Sequence, residues 1–225
     1  MTVFSRTAVV GALCAPLLLI AGPADAAPVI VASWHMEEAV GATTMVDSSG
    51  NNNTGTISKE VKIGQPGYAG KGYEFAGAGV VSVRSSTSLN PSGSPFSVAV
   101  QFKSSTRPTS SVGDYDLLRK GLSSTSGGDW KVEILKSGKL YCLFKGSTAK
   151  VVLTGSTNVV NGAWHLLECR TTATGTQLLV DGVIQASTAL RPGSISNSAA
   201  LMIGAKNASE DRTTGVLDEV LISKG

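Results

Sequence analysis

The sequence has few aromatic residues, few charged residues and almost no histidine. Aromatic residues make up 5% and charged residues 16% of the 225 residues, and only His35 and His165 are present. A zinc site needs three or four Cys or His ligands, which these numbers hardly supply. The net charge is only +3 and the basic residues form no run, whereas a nucleic-acid-binding surface needs clustered basic side chains. We therefore expect neither a zinc centre nor a nucleic-acid partner.

Long apolar runs are also lacking, except near the N-terminus. Arg6 precedes the apolar segment 8–22, and small residues follow it at 24–26. This order is typical of a secretory signal peptide, and the apolar run is too short to span a bilayer. We expect a signal peptide at 1–26, one domain at 27–225, a secreted protein, and no membrane span after the signal is removed.

Cysteine is scarce, and its number suits an oxidising compartment. Cys14 lies in the signal, which leaves Cys142 and Cys169 in two segments that alternate like strands. An even pair in an exported domain favours one disulfide, here expected between neighbouring strands. Two buried thiols remain the alternative.

The periodic segments nearly all have period two, which indicates β-strands. In "FSVAVQFK" (96–103), Phe96 alternates with Ser97 along the segment, and "WKVEILK" (130–136) alternates in the same way. Asp181-Gly182 fits a tight hairpin turn, and "KSGK" (136–139) marks a second hairpin. Many short strands separated by turns predict an all-β protein, a sandwich or a barrel.

A convincing amphipathic helix is absent from the pattern. Only "TSLNPSG" (87–93) and "DYDLLRKG" (114–121) are short segments in which we expect single helical turns.

Several stretches resemble the laminin-G-like branch of the concanavalin A-like jelly rolls. They lie in the family's order and together cover residues 30–223: "ASWHMEEAVGATTMVDSSGNNNTGTI", "GKGYEFAGAG", "PFSVAVQFK", "NGAWHLLECRTTATGTQLLVDGV", "MIGAKN" and "GVLDEVLIS". The resemblance implies an antiparallel β-sandwich. It leaves function open, because this architecture carries lectins, adhesion modules and glycoside hydrolases.

The sequence lacks the catalytic motifs that enzymes of this fold carry. Retaining glycosidases that share the fold resemble one another in a Glu-x-Asp-x-Glu strand, since two carboxylates must lie ~5.5 Å apart. Glu133 and Glu168 each stand alone in their strands. His35 and His165 lie far from any Gly-x-Ser-x-Gly turn, and we interpret both as structural residues. An inverting pair from distant segments stays open.

Calcium is the best-supported metal. The loop "DSSGNNNTG" (47–55) offers Asp47, Asn51, Asn52 and Asn53, whose oxygen atoms suit Ca²⁺. The resemblance implies a calcium ion held by Asp47 and Asp218, with Asn51 or Asn53 completing the ligands. The alternative is that Asp47 caps a turn and Asp218 accepts hydrogen bonds from backbone amides.

Carbohydrate binding needs exposed aromatic rings, and the sequence suggests two. Trp130 follows the polar loop "SSTSGGD" (123–129), and Tyr115 lies in the loop-like "VGDYD". We predict these two as ligand-binding platforms, while Trp34 and Trp164 lie in strand patterns and are assigned to the core.

The sequence thus predicts a secreted, non-catalytic laminin-G-like binding module. Its expected partner is a glycan or an extracellular protein surface, with a structural calcium ion. A divergent polysaccharide hydrolase or lyase of the same fold is one alternative. A structural module for protein–protein adhesion is another.

Overall fold

The structure is a computed structural model that describes residues 27–109, 111, 113–207 and 209–225. The expected signal peptide at 1–26 lies outside the described residues. In chain order the sixteen strands are β1 Val29–Trp34, β2 Thr44–Met45, β3 Gly55–Ile57, β4 Lys62–Pro66, β5 Lys71–Ala76, β6 Val81–Val83, β7 Phe96–Lys103, β8 Tyr115–Lys120, β9 Asp129–Ile134, β10 Lys139–Lys145, β11 Lys150–Asn158, β12 Trp164–Thr171, β13 Thr176–Val180, β14 Val183–Thr188, β15 Leu201–Ile203 and β16 Thr214–Lys224. A single 3-10 turn spans Thr87–Leu89, as the sequence predicted. None of the described helical segments is long and apolar enough to cross a membrane.

The strands form two antiparallel sheets of eight strands each. Sheet A has the order β14-β13-β12-β7-β16-β5-β4, with β1 also paired to β16. Sheet B has the order β11-β10-β9-β8-β15-β6-β3-β2. The all-β prediction and the antiparallel β-sandwich are confirmed.

The core lies between the two sheets because each strand alternates its side chains between an inner and an outer face. In β7, Phe96, Val98, Val100 and Phe102 are all buried, while Ser97 and Lys103 are at least partly exposed on the other face. The period-two interpretation of this segment is confirmed. Its outer face is therefore available for other contacts.

Two predicted hairpins are present. Asp181 and Gly182 connect β13 to β14 with φ angles of 52° and 77°, as a two-residue turn with both central residues left-handed requires. The 136–139 turn connects β9 to β10, and these two strands pair with each other. Turn chemistry alone therefore placed both connections correctly.

One prediction is wrong: residues 115–120 form a strand, β8, and not a helical turn. β8 pairs with β9 on one side and with β15 on the other, and Leu117 and Leu118 are fully buried. Hydrogen bonding on both edges favours an extended backbone over a local helical turn.

The cysteine prediction is confirmed in part. Cys142 and Cys169 form a disulfide with their Cα atoms 5.7 Å apart. The strands are not neighbours, however, because β10 belongs to sheet B and β12 to sheet A. The bond therefore crosses the core and joins the two sheets.

Candidate functional site

An open groove of about 1010 Å³ lies over the outer face of sheet A. Strands β1, β7, β12 and β16 supply most of its lining, chiefly through Ile30, Ser33, His35, Ser97, Ala99, Gln101, Leu166, Glu168, Arg170, Glu219, Leu221 and Ser223. The lining combines an apolar floor with polar side chains, the composition of ligand-binding clefts.

The register of β7 and β12 builds the groove floor. Leu166 lies opposite Gln101 and Glu168 lies opposite Ala99 across this pair of strands. On the other side of β7, Leu221 of β16 lies opposite Ala99. Ala99 and Leu221 share a row with Glu168, and Leu166 shares the next row with Gln101. Side chains in these rows lie on one face, so apolar and polar groups alternate across the groove floor.

Gln101 lies in the groove floor, and the amide oxygen of its side chain has no hydrogen-bond donor among the described residues. The residue is only 8% exposed. A buried amide oxygen without a hydrogen bond costs free energy, and such a group in a native protein needs an explanation. The oxygen itself has almost no accessible surface, so a ligand hydroxyl in the groove would reach it only after the side chain rotates.

Two carboxylates stand at opposite sides of the groove. Glu168 Oε1 accepts hydrogen bonds from Ser97 Oγ (2.8 Å) and Arg170 Nη1 (3.4 Å). Glu219 Oε2 lies 2.8 Å from Nδ1 of His35, and both side chains are partly exposed. Both acids are thus held in place at the surface, where ligand hydroxyls could reach them.

A β-bulge directs Glu219 towards the groove. The pairing of β16 with β7 shifts between Asp218 and Leu221, and Glu219 has a left-handed φ of 46°. Bulges commonly re-aim a side chain next to a binding site. The bulge thus gives Glu219 a position on the groove rim that regular alternation would not give.

Two partly exposed aromatic rings meet beside the groove. Tyr68, in the turn between β4 and β5, is 57% exposed, and its ring centroid lies 6.0 Å from that of Trp164 in an edge-on arrangement. Lys103 Nζ lies 5.9 Å from the Trp164 ring centroid. Trp164 precedes the groove residue Leu166 by two positions on the same face of β12, about 7 Å along the strand. We call Tyr68, Trp164 and Lys103 the aromatic platform.

Asp218 fixes the turn that carries Tyr68. Its Oδ2 atom accepts hydrogen bonds from the backbone N–H groups of Tyr68 (2.8 Å) and Ala69 (3.0 Å), and its Oδ1 accepts one from Glu219 (2.8 Å). Burial raises the pKa of Asp218, and these hydrogen bonds offset that effect only in part. Asp218 is therefore a positioning residue for the aromatic platform.

The predicted platforms Trp130 and Tyr115 are not exposed, and this prediction is wrong. Trp130 is 0% exposed and packs on Phe96 at 5.5 Å, and Tyr115 is 2% exposed. Both begin or nearly begin a strand and point inward with their apolar neighbours. Trp34 is buried as predicted, whereas Trp164 is partly exposed, so its assignment to the core is also wrong.

The sequence did contain signals that Trp164 and Tyr68 are exposed. Cys169 had to face the core to form the disulfide, and strand alternation then puts Trp164 on the opposite, outer face. Tyr68 lies in the Pro-Gly turn "QPGYAGKG", where an aromatic ring has no strand pattern to bury it. The predicted structural role of His165 suits its contacts with Asp181 and Asn161, 2.7 and 3.1 Å away.

The Asp47 loop is ordered by its own hydrogen bonds. Asp47 Oδ1 accepts from the N–H groups of Ser33 and Ser49, and Oδ2 accepts from the N–H of Asn53 and from Ser49 Oγ, all within 3.0 Å. Both hydrogen bonds that the exposed Asn51 donates to described residues go to Ser49 Oγ. Asp47 and Asp218 therefore hold different turns, as the alternative interpretation stated, and calcium binding here stays a prediction.

Asn53 belongs to the same structural network. Its side-chain amide donates to Val31 O (2.8 Å), and its backbone oxygen accepts from Trp34 Nε1 (2.8 Å). It is only 4% exposed. This residue therefore connects the loop to the core under β1.

A group of three acids combines Asp116 and Glu133 of sheet B with Asp211 from the segment between β15 and β16. Ligand atoms of Asp116, Glu133 and Asp211 lie within 4.8 Å of one another. The Arg119 guanidinium donates to both Asp116 and Glu133, so the acids already have a cation. This cluster is an ion-pair network.

Two solved structures with a similar fold are binding domains of toxins. The binding domain of Paraclostridial Mosquitocidal Protein 1 matches with a TM-score of 0.70 and 19% identity over 87% of this chain and 48% of that one. The binding domain of Botulinum Neurotoxin DC, solved in complex with SialylT, matches with a TM-score of 0.66 and 14% identity over 86% and 47% of the two chains. The chain thus spans about half the length of these toxin domains.

A third match has nearly the same length as this domain. Domain 4 of AbnA, a GH43 extracellular arabinanase from Geobacillus stearothermophilus, was solved in complex with arabinotriose. It matches with a TM-score of 0.64 and 17% identity over 88% of this chain and 93% of that one. At these identities the likeness shows the fold alone.

Sequence comparison assigns the family. No curated protein sequence matches the chain. A laminin-G-like family model described as the concanavalin A-like lectin/glucanases superfamily matches residues 75–225, more than half of the chain and most of both sheets. The chain therefore belongs to the concanavalin A-like lectin/glucanases superfamily.

Proposed function

We propose that this protein is a secreted carbohydrate-binding module whose ligand lies along the outer face of sheet A. The observation that carries the proposal is the aromatic platform, whose Trp164 lies two positions from the groove residue Leu166 on β12. Tyr68 and Trp164 are partly exposed and adjacent, in a chain whose other aromatic rings are mostly buried. Sugar rings present apolar C–H faces that pack on such rings, while their hydroxyls need polar partners.

The groove supplies those polar partners. Gln101 has a buried oxygen without a donor, and Glu168, Arg170 and Glu219 line the walls. A volume of about 1010 Å³ is at the upper end of the usual range for ligand clefts. A short stretch of a polysaccharide, with one unit on the aromatic platform and others over Gln101, fits this arrangement.

The similar structures support a sugar ligand without naming it. One was solved with arabinotriose and another, the Botulinum Neurotoxin DC domain, with SialylT, and that same neurotoxin domain was also solved with a protein, rat synaptotagmin II. A sugar is the better match here because two partly exposed aromatic rings lie beside a groove whose walls carry polar side chains. Adhesion to a protein surface is the alternative.

Export and calcium are parts of the proposal that rest on sequence. The 1–26 segment supports export, and the polar 47–55 loop supports calcium. Melting temperatures of residues 27–225 with added Ca²⁺ and with chelator test the ion. An unchanged melting temperature would argue that the Asp47 loop needs only its hydrogen bonds.

A catalytic role is the second candidate, and one observation favours it. Glu168 and Glu219 both line the groove, on strands separated by β7. Two strand spacings put their backbones roughly 10 Å apart, from which the two side chains could reach the carboxyl separation of an inverting pair. Reducing-end release from any polysaccharide that binds would establish this alternative.

The test of sugar binding is affinity electrophoresis of residues 27–225 in gels containing arabinan, xylan, pectin or β-glucan. We expect retardation by at least one polymer. Tyr68→Ala should weaken it about tenfold, equivalent to about 1.4 kcal/mol, because an exposed stacking ring is lost. Val183→Ala removes an exposed apolar side chain at the far hairpin and should change nothing.

Two outcomes would contradict the proposal. Binding that is unchanged in both Tyr68→Ala and Trp164→Ala would exclude the aromatic platform. Absence of retardation by every polymer, together with capture of a protein by the same surface, would favour the adhesion alternative.

A further inference from the structure

The outer face of sheet B carries a second and smaller pocket of about 380 Å³. Asp129 and Lys131 of β9, Tyr141 of β10, Lys150 of β11 and Arg119 of β8 contribute to its lining. The two sheets pack with their inner faces together, so this pocket and the groove open on opposite sides of the molecule. A ligand bound here cannot contact the groove.

Asp129 is the unusual group in this pocket. It is 2% exposed, and no described residue donates a hydrogen bond to its Oδ1 atom. Burial raises its pKa, although Lys145 and Arg119 act in the opposite direction. A buried carboxylate oxygen without a donor is costly, so its presence calls for a group that donates to it.

The same feature occurs in both pockets. Three buried side-chain atoms lack a partner among the described residues: Gln101 Oε1, Asp129 Oδ1 and Trp130 Nε1. Gln101 lines the groove and Asp129 lines the smaller pocket. Unpaired buried acceptors are rare in native proteins. Trp130 lies in the core, whereas Gln101 and Asp129 line concave regions, where rotation of the side chain would bring each buried oxygen to a ligand donor.

The charges around the smaller pocket favour a neutral ligand. Arg119 is paired with Asp116 and Glu133, and Lys131 donates to Glu133 as well. These cations already have carboxylate partners, so they do not create a strong anion site. A hydroxyl-rich ring could donate to Asp129, accept from Lys150 and lie against Tyr141.

We infer that this pocket is a second saccharide-binding site for a single neutral sugar unit and that the module is bivalent. The sugar class rests on the proposed function, whereas the location rests on Asp129. Two sites on opposite faces would let one molecule join two polysaccharide chains. Linked binding events of this kind raise the overall affinity for a polymer without new contacts.

The test is an NMR titration of ¹⁵N-labelled residues 27–225 with arabinotriose, galactose, glucose and N-acetylglucosamine. We expect two groups of amide shifts, one around Gln101 and one around Asp129, for at least one sugar. Asp129→Asn should weaken the second group about tenfold or more and leave the first unchanged. Glu60→Gln, an exposed acid outside both pockets, is the matched control.

Stability separates a binding role of Asp129 from a structural one. Asp129→Asn removes an unpaired buried charge, so its melting temperature should equal or exceed that of the parent protein. A lower melting temperature, or equal weakening of both groups of shifts, would overturn the inference.

The two proposals can fail separately. Shifts confined to the groove for every sugar would overturn the second site and support the first. Shifts confined to the Asp129 pocket, unaffected by Tyr68→Ala, would contradict the proposed groove and support the second site.

Discussion

Single carboxylates organise the loops of this protein by accepting backbone hydrogen bonds. Asp47 accepts three hydrogen bonds from N–H groups and one from a hydroxyl, and Asp218 accepts three from N–H groups. Hydrogen bonds to a charged acceptor are stronger than those between neutral groups. Each aspartate therefore stabilises the backbone conformation of one turn by accepting hydrogen bonds from its N–H groups.

Asp47→Asn tests this role at the residue scale. Burial raises the pKa of Asp47, but the N–H groups of Ser33, Ser49 and Asn53 and the Ser49 hydroxyl more than offset this, and the pKa lies below the ordinary 3.8. Because the unfolded chain takes up the proton first, the stabilisation is present above pH 3.8 and is lost as the pH falls through the lower folded value. We expect Asp47→Asn to lower the free energy of unfolding by about 1–2 kcal/mol at pH 7.

Urea unfolding of both proteins at pH 7 and near pH 2.5 measures the effect. The difference between them should shrink at the lower pH. A difference that is the same at both values would show that the charge of Asp47 is not what stabilises the loop.

At the scale of elements, the two sheets approach each other closely where β15 ends. Gly204 follows β15 with a φ of 88°, and a Cβ atom there would lie 2.1 Å from the ring of Phe75 in β5. Only glycine combines the left-handed backbone with the missing side chain. This contact sets the spacing of β15 and β5.

Gly204→Ala should therefore destabilise the protein strongly. A left-handed alanine costs roughly 1–2 kcal/mol, and displacement of a core ring adds about 1–3 kcal/mol. Gly182→Ala is the matched control, since Gly182 has a similar φ of 77° but open space around it. Chemical denaturation should give a loss for Gly204→Ala at least about twice that for Gly182→Ala; equal losses would mean that the backbone alone matters.

At the scale of the whole molecule, the disulfide joins the sheets that carry the two proposed sites. Cys142 lies in β10 beside Tyr141 of the smaller pocket, and Cys169 lies in β12 beside Glu168 of the groove. The bond therefore ties the strand behind one site to the strand behind the other. Its removal should loosen both sheets relative to each other.

The double variant Cys142→Ala, Cys169→Ala should lower the free energy of unfolding by about 3 kcal/mol, from loop closure over a 27-residue separation. The midpoint of urea unfolding measures it, with the reduced parent protein as the comparison. A loss below about 1 kcal/mol would show that core packing alone sets the spacing of the sheets.

The candidate site was predicted from the sequence only in part. Glu168 and Asp218 were noted, but as a lone acid and as a calcium ligand. The sequence predicted an exposed Trp130 and a buried Trp164, whereas Trp130 is buried and Trp164 is partly exposed. A loop before a residue does not decide its exposure, whereas its position relative to the inward-facing cysteine does. The groove itself could not be predicted, because four strands from distant parts of the chain build it.

Local patterns in the sequence by themselves determined the extended segments, their two faces and the hairpin at Asp181-Gly182, and they favoured pairing of the two cysteines. These features depend on side-chain alternation, on turn residues and on an even number of thiols. Only the tertiary structure decided which sheet each strand joins and that the disulfide crosses the core. It also decided that Lys120 is buried, where its ammonium group donates hydrogen bonds to Asn197 and Ala199. Strand order depends on contacts between residues far apart in the chain, and a period of two is the same in every strand whichever neighbour it takes.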